Sequence, residues 1–446
     1  MFFVSAYMIN IILITLVIIL GLWLLLEIGV RWYVESPLTT DFYASTSREG
    51  LLPRQKQVGV QTVSGSSWIH LGWMADPDAE TYRIEKLVDG AWSEIGRAEY
   101  GSFLIREEGG GQFRVWRMPK NEGQPEGLGE AAADSSQSAS PVFIPRIAGE
   151  WQTLFRPEKS GHYINDHTVY QDAEGNWRLI GITSKTDGDY NQEKYFAVGT
   201  SADFPPAGGM AEAEPIADFG ELAWAPHVMH SGEKYHIFWS PHKLHQMESQ
   251  DGILWENHEV TIPAPFHKFF RDGMVLQVAE NQWLLYATAR GRYYSQVDIY
   301  QSFDLRAWQY IRTALSSGWG SERNSPFSSM ESPFVVDHQG HYYLSLTYNN
   351  DSFFWPGILL LFSVWRNRAS YNETLVFHSD NPYDFGVYRG RDHSPTLLTE
   401  LETHSPEFVY NPDADAWYIT TAGWPWVATL TSGEVAVAPL EWQKNP

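Results

Sequence analysis

The stretch "MESPFVVDHQGHYYL", Met330–Leu344, opens on an acid, turns at a proline, and then alternates apolar and polar residues as a half-buried strand does. A polar tip follows, and then a second run rich in Tyr and Leu. The phrase reads strand, hairpin, strand. Four more copies occur after residue 141: "NDHTVYQDAEGNWRLIGIT" from Asn165, "WAPHVMHSGEKYHIFWS" from Trp224, "RDGMVLQVAENQWLLYAT" from Arg271 and "HSPEFVYNPDADAWYITTAG" from His404. A recurrent unit of this kind is the mark of a β-propeller blade. An ordinary sandwich with similar hairpins is the competing reading, and five matched copies speak against it.

Aligned on their first apolar strand residues, Val169, Val228, Val275, Phe334 and Phe408, the copies are spaced by 59, 47, 59 and 74 residues. Three places earlier stand Asp166, Ala225, Asp272, Glu331 and Ser405. Three acids therefore fall in one expected column, and in a propeller the starts of the first strands face one central channel. A lone Asp before a strand is usually a turn or cap residue. Three clustered carboxylates repel one another, which points to function.

The rest of the chain divides readily. Residues 1–26 carry no charged side chain, and "INIILITLVIILGLWLLL" runs apolar up to Glu27. That is long enough to span a bilayer as a helix. A cleavable signal peptide needs a basic start and a small-residue cleavage site, and neither is present. Residues 1–30 are expected to be a single-pass anchor in a cytoplasmic membrane. Arg31, taken alone, would place the rest of the chain in the cytosol. The sequence "LLLEIGVRWYVESP" instead resembles the membrane exit of anchored bacterial extracytoplasmic proteins, so the outer side is expected. Residues 31–56 read as a stalk. Residues 57–118 show short alternating runs broken by "ADPDA", "DG" and "EGGG", and resemble a fibronectin type III β-sandwich with Trp73, Tyr82 and "FRVW" in its strands. Residues 119–141, rich in Gly, Ser, Ala and acid, read as a flexible linker. Residues 142–446 form the expected propeller, so the fold class is all-β.

Composition narrows the function. With 31 basic and 54 acidic residues the net charge is −23, and no basic stripe suited to nucleic acid appears. There is no cysteine, hence no disulfide, thiolate metal site or cysteine nucleophile. The histidines show no metal-ligand spacing, so no metal or other cofactor is expected; a structural calcium at the propeller axis stays open. The 20 Trp, 23 Tyr and 23 Phe suit packed β structure and surfaces that stack on sugars.

The acid motifs carry a family resemblance. "ND" at Asn165–Asp166, "RDG" at Arg271–Gly273 and "ESP" at Glu331–Pro333 resemble, in order and spacing, the motifs of the β-fructosidase/levansucrase group of five-bladed propeller glycosidases, with Gly273 where that group has proline. "WAP" at Trp224–Pro226 and His404 are more similar to the arabinanase, arabinofuranosidase and β-xylosidase group. The resemblance covers residues 142–446 and implies a hydrolase, or transglycosylase, of an arabino- or fructofuranoside or a xyloside, with an oligo- or polysaccharide as its partner.

Glycosidic cleavage needs one carboxylic acid to protonate the departing oxygen and one carboxylate across the sugar ring. Glu331 is assigned as the acid, Asp166 as the opposing carboxylate and Asp272 as the third member, with its neighbours' charge expected to keep Glu331 protonated. The resemblance implies that Asp272 also orients the ring. Arg271 would hold Asp272 ionised or grip a hydroxyl. Asn165, Trp224, His227, His404 and Glu407 are candidate substrate contacts, against plain alternatives: a core tryptophan, satisfied channel histidines, a structural acid. Glu322 in "SERN" is a weaker candidate for the acid. The rival readings are a carbohydrate-binding propeller without catalysis and a protein-interaction scaffold.

Overall fold

The computed structural model describes residues 60–445, together with Thr15, Ile18, Gly21 and Leu22. Excepted are 66, 77, 107–108, 121–122, 134–140, 160, 186–189, 217–218, 242, 259, 261–269, 290–294, 318–328, 350–371, 389–393 and 424–429. The expected anchor and stalk lie almost wholly outside these residues, as does Glu322. Among the described residues no helix is long and apolar enough to cross a membrane.

The part from Phe143 onward is a propeller-type succession of antiparallel sheets. The first holds His162–Gln171, Trp177–Lys185, Tyr195–Ser201 and Ala211–Ile216. The second holds Trp224–Ser231, Lys234–Ser240, His245–Ser249 and Glu256–His258. The third holds Arg271–Ala279, Gln282–Ala289, Gln296–Ser302 and Gln309–Ser317, with Gly386–Tyr388 added in parallel at its edge. The fourth holds Ser329–His338, His341–Asn349, Thr374–Ser379 and Leu397–Leu401. The fifth holds Phe408–Asn411, Ala416–Thr421 and Val435–Lys444, and is completed by Phe143–Ile147 from the start of the region. That return joins the two ends of the region by backbone hydrogen bonds.

The opening stretch folds as its pattern demands. Val335 is buried against Leu344, Leu375 and Phe377, while Asp337 is exposed. Gln339 and Gly340 both take positive φ, 54° and 82°, so the hairpin turns in two residues of the kind that matches strand twist. Asp337 accepts the Gly340 N–H at 3.0 Å.

Each of the first four sheets breaks its inner pairing at the same place. Ile164, Trp224, Arg271 and Glu331 pair with Thr183, Ser240, Thr288 and Thr347; pairing resumes three residues later at His167, His227, Met274 and Phe334. Two residues on the first strand thus oppose one on the second, which is a β-bulge. The bulge corrects the expected acid column. Glu331 is the last paired residue before the bulge, Asp272 the first bulged residue and Asp166 the second. Alignment on Val169 and Phe334 is off by one in opposite directions, because the residues that match Val228 and Val275 are Thr168, which is polar, and Val335, which the apolar Phe334 precedes. The acids occupy three successive positions of one motif.

Residues 60–133 form two packed sheets. One has strands Gln61–Ser64, Ile69–Gly72 and Ser102–Ile105; the other has Ala91–Ala98, Ala79–Val88, Gly111–Pro119 and Glu126–Ala133. The strand Glu126–Ala133 lies inside the segment read from sequence as linker, which is a correction. Its sequence "EGLGEAAA" has little strand propensity, and pairing with Gly111–Pro119 supplies what propensity does not. Nor is this sandwich separate from the propeller. Gln301 donates to the carbonyls of Trp73 and Gly101 at 3.1 and 2.6 Å. Gln309 donates to Trp73 and accepts from the Ala75 N–H. The His70 ring stacks on Tyr383 at 3.7 Å, and Trp68 is buried in the core of the third and fourth sheets. Burying that indole stabilises the joint by on the order of 3 kcal/mol.

Candidate active site

The bulges place chemistry at one end of the propeller. Residues from the first four sheets and from the segment that leads into the fifth line one narrow cavity of about 30 Å³, among them Asp166, His227, Asp272, Ser332, Ser405 and Glu407. This is room for a single water rather than a sugar ring. Ala225, Asp272, Ser332 and Ser405 hold φ between 46° and 56°, a region that non-glycine residues enter at a cost of roughly 1–3 kcal/mol. Each such residue turns the chain toward the axis. Pro226, Pro333 and Pro406 come next, where a bulged residue needs no ladder N–H. In the third sheet this place is taken by Gly273, the glycine of "RDG".

The hydroxyls opposite the bulges hold them. Ser240 accepts the Asp272 N–H at 2.9 Å, and Thr347 accepts the Ser405 N–H at 2.6 Å, each from the preceding sheet. Thr288 donates to Asp272 Oδ2 at 3.0 Å, and the Ser332 N–H reaches the same oxygen at 3.2 Å. Sequence reading missed these groups. Their signal was present, since the second runs end in "GIT", "FWS", "YAT" and "YITT".

Arg271 binds the acids together. Its Nη2 pairs with Glu331 Oε2, and its Nη1 lies 3.1 Å from Asp272 Oδ2. The expectation for Glu331 counted only its negative neighbours, and the guanidinium is a further charge beside it. Asp166 and Asp272 are each pushed up to about 6. For Asp166 burial is the main cause; the Ser405 hydroxyl opposes it, the charge of Glu331 adds to it and Arg271 offsets part. For Asp272 burial again leads, opposed by Arg271 and reinforced by Asp166 and Glu331. All three carboxylates are thus electrostatically in one site, although they come from three sheets.

The other candidates divide. Asn165 is fully buried beside Asp166, and among the described residues neither its amide nitrogen nor its amide oxygen has a hydrogen-bond partner. His404 lies with Nε2 3.7 Å from Asp166 Oδ1, so it belongs to the acid group. Trp224 is half-buried and occupies in the second sheet the place that Arg271 and Glu331 hold in theirs. His227 and Glu407 form a separate pair in the lining of the cavity. His227 Nε2–H donates to the Val275 carbonyl at 3.1 Å, which leaves Nδ1 toward Glu407 Oε1 at 3.9 Å. Glu407 accepts the Val169 N–H at 2.7 Å, and burial raises its pKa against the pull of His227. That pair joins sheets across the axis. His167, not singled out from sequence, is buried with Nε2 2.7 Å from Thr420 Oγ1, and burial followed by the nearby His404 lowers it to about 3.

No family model matches the chain, and no curated protein matches it. Among solved structures, a thermostable family-43 glycoside hydrolase aligns at 17% identity and TM-score 0.45, over 66% of this chain and 98% of its own. Fructofuranosidase from Schwanniomyces occidentalis aligns at 16% identity and TM-score 0.46, over 64% of this chain and 57% of its own. A family-43 β-xylosidase/α-arabinofuranosidase from a compost microbial metagenome aligns at 11% identity and TM-score 0.42, over 67% and 95%. All three TM-scores lie below 0.5, so what the site does is read from its own carboxylates.

Proposed function

We propose that the protein is a glycoside hydrolase whose site is the Asp166–Asp272–Glu331 cluster at the axis of a five-bladed propeller. One observation carries this reading: Arg271 pairs with the buried Asp272 and Glu331, and burial pushes Asp272 and the neighbouring buried Asp166 up to about 6. Such a group can hold a proton and a negative charge at once, which glycosidic cleavage requires. Glu331 is the acid that protonates the departing oxygen. Asp166 is the opposing carboxylate. Asp272, fixed by Thr288 and Ser332, stabilises charge on the ring. Arg271 must leave Glu331 before that residue can carry a proton, and a sugar hydroxyl drawing on the guanidinium would release it. The furanoside or xyloside class rests on the sequence resemblance.

The surrounding units fit this reading. The strand orders of residues 60–133 support a fibronectin type III-like module fixed to the propeller flank, and the uncharged run at 1–26 supports a membrane anchor, with the propeller on the extracytoplasmic side, periplasmic or extracellular, by the resemblance of the sequence that follows the run. A second reading has an observation of its own. The Arg271–Glu331 pair, left as it is, favours a propeller that binds carbohydrate without cleaving it.

The test is turnover by the full chain and its Glu331→Gln variant on sucrose, levan, inulin, arabinan and aryl arabinofuranoside, fructofuranoside and xyloside. Sugar release by the parent and not by the folded variant establishes the hydrolase and selects the substrate. Binding of one of these glycans by both, with release by neither, leaves the binding module.

A further inference from the structure

Away from the axis, the fourth sheet brings together His341, His378 and Asp380. Its second and third strands pair with Tyr342 opposite Ser379 and Tyr343 opposite His378. Side chains alternate across a sheet, so His341 and His378 share one face, and Asp380 follows on that same side. His341 Nδ1 lies 2.9 Å from Asp380 Oδ1 and 3.1 Å from His378 Nε2; His378 Nε2 lies 3.6 Å from the same carboxylate oxygen.

Three atoms in a triangle cannot all be satisfied by hydrogen bonds among themselves. A hydrogen bond needs one donor and one acceptor, and a ring of three cannot alternate the two. If both imidazole nitrogens donate to Asp380, they oppose each other proton to proton. If one accepts from the other, it turns a lone pair to the carboxylate. A cation at the centre accepts from all three at once. Ligands at about 2.0–2.1 Å from a tetrahedral zinc stand about 3.3 Å apart, and the three separations bracket that spacing.

We propose that His341, His378 and Asp380 bind a divalent transition-metal ion, zinc by preference, at the joint between sandwich and propeller. Two imidazoles and a carboxylate suit zinc, and their order of burial leaves the remaining position open. His341 is buried, His378 half-buried and Asp380 exposed. A cavity of about 280 Å³ lies beside them, lined by Trp68 and Arg106 of the sandwich and by Asp384 and Thr396 of the propeller. The Asp380 carbonyl accepts the Trp68 indole N–H at 2.6 Å. The ion would therefore fix the residue on which the sandwich docks. Sequence gave no sign of it, because His341 and His378 meet only through strand pairing. The site is independent of the axial carboxylates.

The full chain, stripped with a chelator, is titrated with zinc chloride against a chromogenic zinc indicator and followed by thermal unfolding. The wild type is expected to take up one equivalent with a Kd below about 1 μM and to unfold at higher temperature with zinc. His378→Ala and Asp380→Asn are expected to bind at least about 100-fold more weakly, since loss of a mere outer-shell partner costs 10–100-fold. Both lie partly exposed, so the fold survives their change, and a Tm unchanged without zinc verifies it. A wild type with no stoichiometric uptake, or variants that bind as it does, overturns the proposal.

Discussion

Glu85 in the sandwich and Asp166 and Asp272 in the propeller are carboxylates of similar exposure, 7%, 8% and 3%, yet Glu85 lies near the surface and the aspartates deep inside, and they are shifted in opposite directions. Glu85 receives Arg114 and the Trp116 indole N–H on one oxygen, the latter at 2.9 Å, with Arg83 3.2 Å from the other. Burial pushes its pKa up, and the hydrogen bonds from Arg114 and Trp116 outweigh it, so the net shift is downward. Asp272 shares one arginine with Glu331, the charge of that arginine also reaches Asp166, and each aspartate leaves its Oδ1 without a hydrogen bond. Low exposure alone does not mark a working acid. Depth in the protein together with an oxygen left without a partner does, because the two keep a proton within reach near neutrality.

The largest effect separates the two regions by activity. Asp166→Asn should lower kcat by at least about 10³-fold, within what loss of a positioned acid–base group costs together with its electrostatic role. Glu85→Gln should leave kcat unchanged. In the parent, kcat/KM should fall as pH drops through about 6, where Asp166 and Asp272 take up the protons that their roles exclude. Initial rates from pH 4 to 9 on whichever glycan the parent cleaves check both points. Equal losses in the two variants would break the contrast.

Stability should move the other way. The Asp166 pKa is raised from 3.8 to about 6 in the folded protein, so it holds its proton more tightly there than in the unfolded chain. Its contribution is fully present below pH 3.8 and is lost as pH rises through about 6. At pH 7 the buried charge costs up to about 3 kcal/mol. Asp166→Asn should recover much of this at pH 7 and little at pH 4, read as denaturant midpoints at the two values. Glu85→Gln should lose about 1 kcal/mol at pH 7, its partners being partly exposed. An Asp166→Asn variant less stable at pH 7 would mean that His404 or Ser405 satisfies the carboxylate better than its open oxygen implies.

The contrast also explains what the sequence disclosed. The five repeats were readable because alternation and hairpin tips are local properties, and the acids were found because each begins a repeat. Their true offset was not readable, since the first apolar residue served as the ruler: Val169 follows Thr168 and Phe334 precedes Val335, the residues that match Val228 and Val275. Arg271 was noticed as a neighbour of Asp272, but its reach to Glu331 spans two sheets. "EGLGEAAA" looked like linker because its strand is made by its partner, with Leu128, Ala131 and Ala133 packed on the sandwich core. Glu85 carried no sequence signal, since its saturation depends on arginines from facing strands.

A smaller effect concerns how Asp272 is held. Thr288→Val removes one of the donors to Asp272 Oδ2 and leaves the Ser332 N–H and Arg271 in place. The expected loss in kcat is about tenfold with KM little changed, because one hydrogen bond to a charged group is worth roughly 1.5–3 kcal/mol and two partners remain. A larger loss in KM than in kcat would make Thr288 part of ground-state binding instead.

The smallest effect tests whether the third sheet's bulge is equivalent to the others. Gly273 stands where Pro226 and Pro333 stand in the second and fourth sheets, so its backbone is one that a substituted residue can hold. A Cβ there would meet Leu285 Cδ1 at 3.0 Å and Leu244 Cδ1 at 3.5 Å, both at the ends of flexible side chains. Gly273→Ala should therefore cost about 1 kcal/mol of stability as Leu285 gives way, with activity within twofold of the parent. The glycine would then be a packing choice, and its difference from proline would say nothing against catalysis. A loss of activity far beyond the loss of stability would show that the third bulge needs its glycine to aim Asp272, and that the five-fold repeat is broken at the residue beside the site.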